Sequence, residues 1–285
     1  MAIATFEQRL EAIDQLPSLP LVLQQIQKVI TNERTSMAQI SAVVAKDQAL
    51  TSRAIRLVNS AWYGRTTRVT SIQQVLVTLG LKTLNTLMLG LTVTKLFPTS
   101  DTRGFNMRSF WEHAFGTALL AKKLAHESGK KANADEYFVG GLLHDLGKLV
   151  LEQFFHDEYV SALQLMREKK QSLLVSEREI FDSDHADTGA WLGKKWRIPR
   201  QIHQVMELHH RSRLPGELLP EEKNLIRIVQ AADALCISEN IGDSGEAFDV
   251  LDKSHLPDEW SGETIDRIVN ETRSEITQTI QQWSS

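Results

Sequence analysis

Seven side chains able to hold a metal recur in a fixed order through the second half of this 285-residue chain: His113, His144, Asp145, His185, His209, His210 and Asp233. Imidazole and carboxylate together suit zinc, iron and manganese, and such ions support hydrolytic chemistry. His144 and Asp145 are adjacent within the apolar run from Gly140 to Leu146, and Gly147 and Lys148 follow. A carboxylate in such a run is costly to bury unless its charge is neutralised. A cation is the direct remedy.

His113 and Asp233 both sit among apolar neighbours and can complete a four-ligand set with His144 and Asp145. Inward-facing imidazoles and carboxylates from separate helices are a known way to hold metal in a bundle core. For His113 alone, the competing reading is a hydrogen-bonded core histidine. His185, His209 and His210 form a candidate set for a second ion, and two neighbouring ions can clamp a phosphoryl oxygen. A His-His pair at a helix C-terminus is also a favourable dipole interaction. Lys148, at i+4 from His144 and i+3 from Asp145, shares their helix face. It can meet a substrate phosphate as a point cation or pair with Asp145. Asp145 and Lys148 are thus the candidate catalytic residues, and the expected cofactor is one or two divalent transition metal ions: iron, manganese or zinc.

Helices must position these groups. Apolar residues recur at helical spacing over most of the chain, and no alternating strand pattern persists. The pattern predicts helices over Ile3–Leu16, Leu21–Ile30, Met37–Ala45, Asp47–Trp62, from Ser71 to Gly80, and Leu81–Phe97. Others are expected over Met107–Glu127, from Asn133 through His144 and Asp145 on one helix, and over about 157–170, 173–182, 184–196, 200–211, 222–239 and 262–283. Ser36 and Ser71 read as N-caps. Residues 98–106 hold Pro, Gly and small polar side chains and mark an internal boundary. The expected organisation is all-α. An N-terminal helical bundle (1–98) precedes a bundle carrying the metal constellation (107–240), and an acidic loop and C-terminal helix follow (241–285).

Net charge is −4 and the hydrophobic fraction is 42%. That balance argues against a broad nucleic-acid footprint. One cysteine, Cys236, excludes an internal disulfide. The apolar stretch from Val75 to Phe97 is interrupted by Lys82, Asn85 and Lys95, so it reads as buried helix and not as a membrane span. The first residues lack the charge and apolar pattern of a signal peptide. A cytoplasmic setting is the expectation. Arg53, Arg56, Arg65 and Arg68 surround the Asn59–Gly64 segment. They can bind a nucleotide or acidic partner, or form a solvated helix face and loop.

The order His113, His144-Asp145, Asp233 resembles the HD superfamily of metal-dependent phosphohydrolases, and the closer resemblance is to the HDOD domain, the HD-related output domain of bacterial signalling proteins. Three stretches carry it. The first is Leu16–Pro20 with Val43–Tyr63. The second is Ser71–Leu81. The third is Asp184–Pro199, which reads DHADTGAWLGKKWRIP. The resemblance covers about residues 16–240. It implies an all-helical regulatory output module, with a signalling protein or a nucleotide-like small molecule as partner. The later histidines also parallel the HD-GYP phosphodiesterases. After His210, however, comes Arg211-Ser-Arg-Leu-Pro-Gly-Glu-Leu218 and not the Glu and Gly-Tyr-Pro of that group. Two functions follow as expectations: a binding module with a metal centre, or a metal-dependent phosphohydrolase acting on a nucleotide or other phosphate ester.

Overall fold

The structure, a computed structural model, describes residues 4–30, 36–59, 68–97, 101–102, 104–130, 133–243, 245 and 260–284. The described residues form fourteen helices and no strand, so the chain is all-α. They divide into two compact units. Arg65 and most of the acidic segment expected as a loop lie outside the described residues.

The smaller unit comprises residues 17–97 and 277–285. It holds α2 (Leu21–Ile30), α3 (Met37–Val44), α4 (Gln48–Val58) and α5 (Ile72–Leu96). Each of the last three starts where a side chain satisfies an orphan backbone N–H: Ser36 accepts from Gln39, Asp47 from Leu50, and Ser71 from Gln74. Asn59 ties the end of α4 to Val69 through two hydrogen bonds of 2.6 and 2.7 Å. The break expected at Gly80 is a kink inside α5, where φ is 75°. By length and composition α5 is long and apolar enough to cross a membrane, but most of that stretch is buried inside the protein.

The larger unit comprises residues 1–16 and 98–276. It holds α1 (Phe6–Glu11), which the sequence reading grouped with residues 1–98. The unit continues with α6 (Met107–Glu127), α7 (Ala134–Leu143), α8 (Leu146–Phe154), α9 (His156–Lys169), α10 (Leu173–Phe181), α11 (His185–Lys195), α12 (Arg200–Leu208), α13 (Pro220–Ser238) and α14 (Gly262–Ser284) as far as residue 276. α6 is the central rod, and its buried face runs from Met107 to Ala125. Against it pack α7 and α13.

One expectation changes here. His144 and Asp145 do not ride on one continuous helix: they form the joint between α7 and α8. Two glycines beside the joint explain how it is held. A Cβ on Gly141 would lie 2.8 Å from the Ala118 backbone of α6, and one on Gly147 would lie 1.8 Å from the His185 carbonyl oxygen of α11. Glycine at these positions lets both helices approach the joint at backbone contact. Gly147→Ala must therefore push α11 away from α8. The expected cost is about 1–3 kcal/mol, the range for overpacking a dense core, read as a lower denaturant midpoint at unchanged slope.

Candidate metal centre

The joint delivers His144 and Asp145 to the middle of the larger unit, and four other helices meet them there. α6 brings His113 and α13 brings Asp233. α11 opens with His185, and His209 and His210 follow the last residue of α12. All seven side chains come together in two adjoining groups. One is His113, His144 and Asp233. The other is Asp145, His185, His209 and His210. Within each group the candidate ligand atoms all lie within 4.8 Å of one another.

Asp145 joins the groups. Its Oδ2 lies 3.3 Å from His144 Nε2, and its Oδ1 lies 3.4 Å from His209 Nε2 and 3.5 Å from His185 Nε2. Asp233 Oδ1 stands 2.9 Å from His113 Nε2 and 3.6 Å from His144 Nε2. Two ligand atoms at about 2.1 Å from one tetrahedral ion lie about 3.4 Å apart. Four of these five separations, 3.3 to 3.6 Å, match that spacing, and the 2.9 Å between His113 and Asp233 is a direct contact.

The hydrogen bonding supports the same reading. His144 Nε2, Asp145 Oδ1, His209 Nε2 and Asp233 Oδ1 are buried, and none makes a well-directed hydrogen bond, although each faces another candidate ligand atom at 2.9–3.6 Å. Buried polar atoms are nearly always paired, and each exception costs free energy. Four such exceptions converging on one small volume are the donor set a cation would satisfy. The far side of each ring is anchored. His144 Nδ1 lies 2.6 Å from the Gly141 carbonyl oxygen, and His209 Nδ1 lies 3.0 Å from that of Met206. A carbonyl accepts only, so Nδ1 carries a proton and Nε2 is the nitrogen that points inward. His185 Nδ1 lies 2.6 Å from Glu177 Oε2, which also accepts from the His185 backbone N–H at 2.9 Å.

Charge follows the geometry. Burial, with the nearby His210 adding to it, pushes His209 down to about 3, which keeps it a neutral donor. Burial works against a charged His144, but Asp145 and Asp233 outweigh it and hold that imidazole well above its usual value. Burial likewise opposes the charge on Asp145, yet His144 and Lys148 hold that carboxyl well below the usual range. A metal would take the place of the proton on His144, so binding would release protons.

Lys148 is fully buried, and its Nζ donates to Asp145 Oδ2 at 2.7 Å. Of its two expected partners, the structure shows the carboxylate. Glu177 was not singled out from the sequence. Its only local signal is a carboxylate on the inward stripe of α10 between Leu173 and Phe181, eight residues before His185. Trp111, Trp191 and Trp196 are buried, and so is Cys236, whose thiol burial pushes up.

The chain and its fold have known relatives. The chain is 29% identical over 224 residues to an uncharacterized protein of Treponema pallidum, which covers 78% of this chain and 42% of that protein. The chain thus spans less than half the length of that relative. An HDOD domain protein of unknown function from Geobacter sulfurreducens shares the fold with a TM-score of 0.71 at 24% identity, over 98% of this chain and 96% of that one. A Shewanella amazonensis structure, named provisionally as a phosphohydrolase, superposes with a TM-score of 0.65 at 22% identity over the same shares of the two chains. The family model of the HDOD domain matches residues 16–212, and the chain belongs to that family.

Proposed function

We propose that this chain is a signal-transduction output module with an HD-type metal centre. It acts by binding a signalling protein or a nucleotide-like ligand, in the cytoplasm of a bacterium. The observation that carries the metal reading is the set of four buried ligand atoms without a well-directed hydrogen bond, on His144, Asp145, His209 and Asp233. His113, His144, Asp233 and Asp145 Oδ2 would hold one ion. Asp145 Oδ1, His185, His209 and His210 would hold the other. Mixed imidazole and carboxylate donors fit iron, manganese or zinc. The module role is supported by family membership and by the enclosure of most ligands, which favours a structural or sensory centre over an open catalytic one.

A hydrolase reading has one observation in its favour. A carboxylate set between two ligand groups suits a pair of ions, which when bound can clamp a phosphate ester and supply a nucleophile at neutral pH. The name of the Shewanella protein points the same way. In that reading Lys148 acts through Asp145, which it contacts, as a positioning residue.

Elemental analysis of the purified chain tests the centre. One to two equivalents of transition metal are expected, with about one equivalent fewer for His144→Ala. Metal-free protein that takes up no iron, manganese or zinc would defeat the reading. Steady turnover of a phosphodiester or nucleotide panel, lost in His144→Ala, would replace the module with the hydrolase.

A further inference from the structure

The two ligand groups meet solvent differently. His113, His144 and Asp233 are 1%, 0% and 6% exposed. Their helices close over them: α6 is gripped beside His113 by the turn after α13, where the Asp243 N–H donates to the Ser109 carbonyl at 3.1 Å. In the second group Asp145, His185 and His209 are buried, but His210 is half-buried, and it lies on the turn beyond the end of α12. Its Nε2 is 2.8 Å from His185 Nε2, and its ring lies 4.1 Å from that of His209, centroid to centroid.

We propose that the two cation positions are unequal. The position among His113, His144 and Asp233 is sealed. The one among Asp145, His185, His209 and His210 faces solvent, and His210 is the ligand that yields when a phosphate-type oxyanion arrives. This rests on the reading that both groups hold metal.

An ion leaves or accepts a new ligand only if a donor can be displaced along a path open to water. His113 and Asp233 sit inside long helices, and His144 is tied by its distal nitrogen to a carbonyl, so displacement there requires moving a helix. His210 lies past the last helical residue and is the half-buried member of the second group. The exchange is balanced: a neutral imidazole leaves and an oxyanion oxygen takes its place. The chemistry at the opening suits an anion, because the next residues, Arg211 to Arg213, are exposed and carry two guanidinium groups. α13 pins this stretch: Arg227 donates to the Ser212 carbonyl at 2.7 Å and Gln230 to that of Arg211 at 2.9 Å.

The test loads the metal-free full chain with cobalt(II) and follows its release to excess chelator, then its visible absorption with inorganic phosphate. Two bound ions are expected, one leaving at least about tenfold faster than the other, as an open position should. Phosphate should shift the absorption of the fast-leaving ion only. His210→Ala should leave the slow phase intact, speed the loss of the other ion further and let phosphate act at lower concentration, because no imidazole has to be displaced; His210→Gln serves if the alanine variant does not fold. Two ions released in one phase, or a phosphate concentration dependence unchanged in both variants, overturns this proposal and leaves the metal reading standing. A chain that binds fewer than two ions overturns it as well, and one that binds none defeats the metal reading too.

Discussion

Asp145→Asn should empty both cation positions at once. Asp145 alone faces both ligand groups, with one oxygen toward His144 and the other toward His185 and His209. Every other ligand substitution should weaken mainly one position. Metal content should therefore fall close to zero in Asp145→Asn, whereas His113→Ala and His209→Ala should each keep about one ion if the positions fill separately. A stability cost accompanies the loss. Lys148 would keep its buried ammonium and lose the carboxylate it meets at 2.7 Å. Breaking a buried pair on one side costs about 3–5 kcal/mol. The double variant Asp145→Asn with Lys148→Met separates the effects: removing the stranded charge should restore most of the stability and none of the metal. Full metal content in Asp145→Asn would show that the carboxylate is only an ion-pair partner for Lys148.

Much of this centre was legible before any coordinates, and the reason is chemical. His144-Asp145 inside an apolar run is a local conflict, and such conflicts mark sites because the fold must compensate them. Helix starts at Ser36 and Ser71 were legible because capping acts over three residues. The joint between α7 and α8 was not. Its residues have good helix formers on both sides, and the close approaches of α6 and α11 to Gly141 and Gly147, which flank the joint, are contacts over long sequence separation. The grouping of α1 with residues 98–276 was hidden for the same kind of reason: Arg9 pairs with Glu158 and Trp191 donates to Glu11, and neither pairing leaves a mark in local periodicity. Glu177 was missed because one carboxylate on an amphipathic helix looks solvated until its partner is placed. Lys148 shows the converse limit. Spacing put it on the face of Asp145 but did not choose between the carboxylate and a substrate phosphate.

Glu177→Gln should weaken metal binding at the His185 position by about 10- to 100-fold, the usual range when the outer partner of a ligating histidine is altered. The glutamate is 0% exposed, and its Oε2 accepts from both Nδ1 and the backbone N–H of His185. The backbone bond fixes the start of α11, and the ring bond sets which nitrogen faces the cation. A carboxylate there makes the imidazole a stronger donor, while an amide oxygen keeps the shape and loses the charge. Glu177→Gln should therefore leave the fold nearly as stable and change the affinity of one ion only. Glu177→Ala removes both bonds and leaves a buried N–H unsatisfied, which costs about 1–3 kcal/mol. Competition with a chelator of known affinity reads the effect. The ion at His113, His144 and Asp233 is the internal control, because Glu177 touches none of its ligands except through His185 and Asp145. An equal loss at both positions would mean that Glu177 acts by holding α10 and α11 together. An unchanged affinity would mean that the orientation of His185 is set by the helix start alone, with the carboxylate charge adding nothing to the donor.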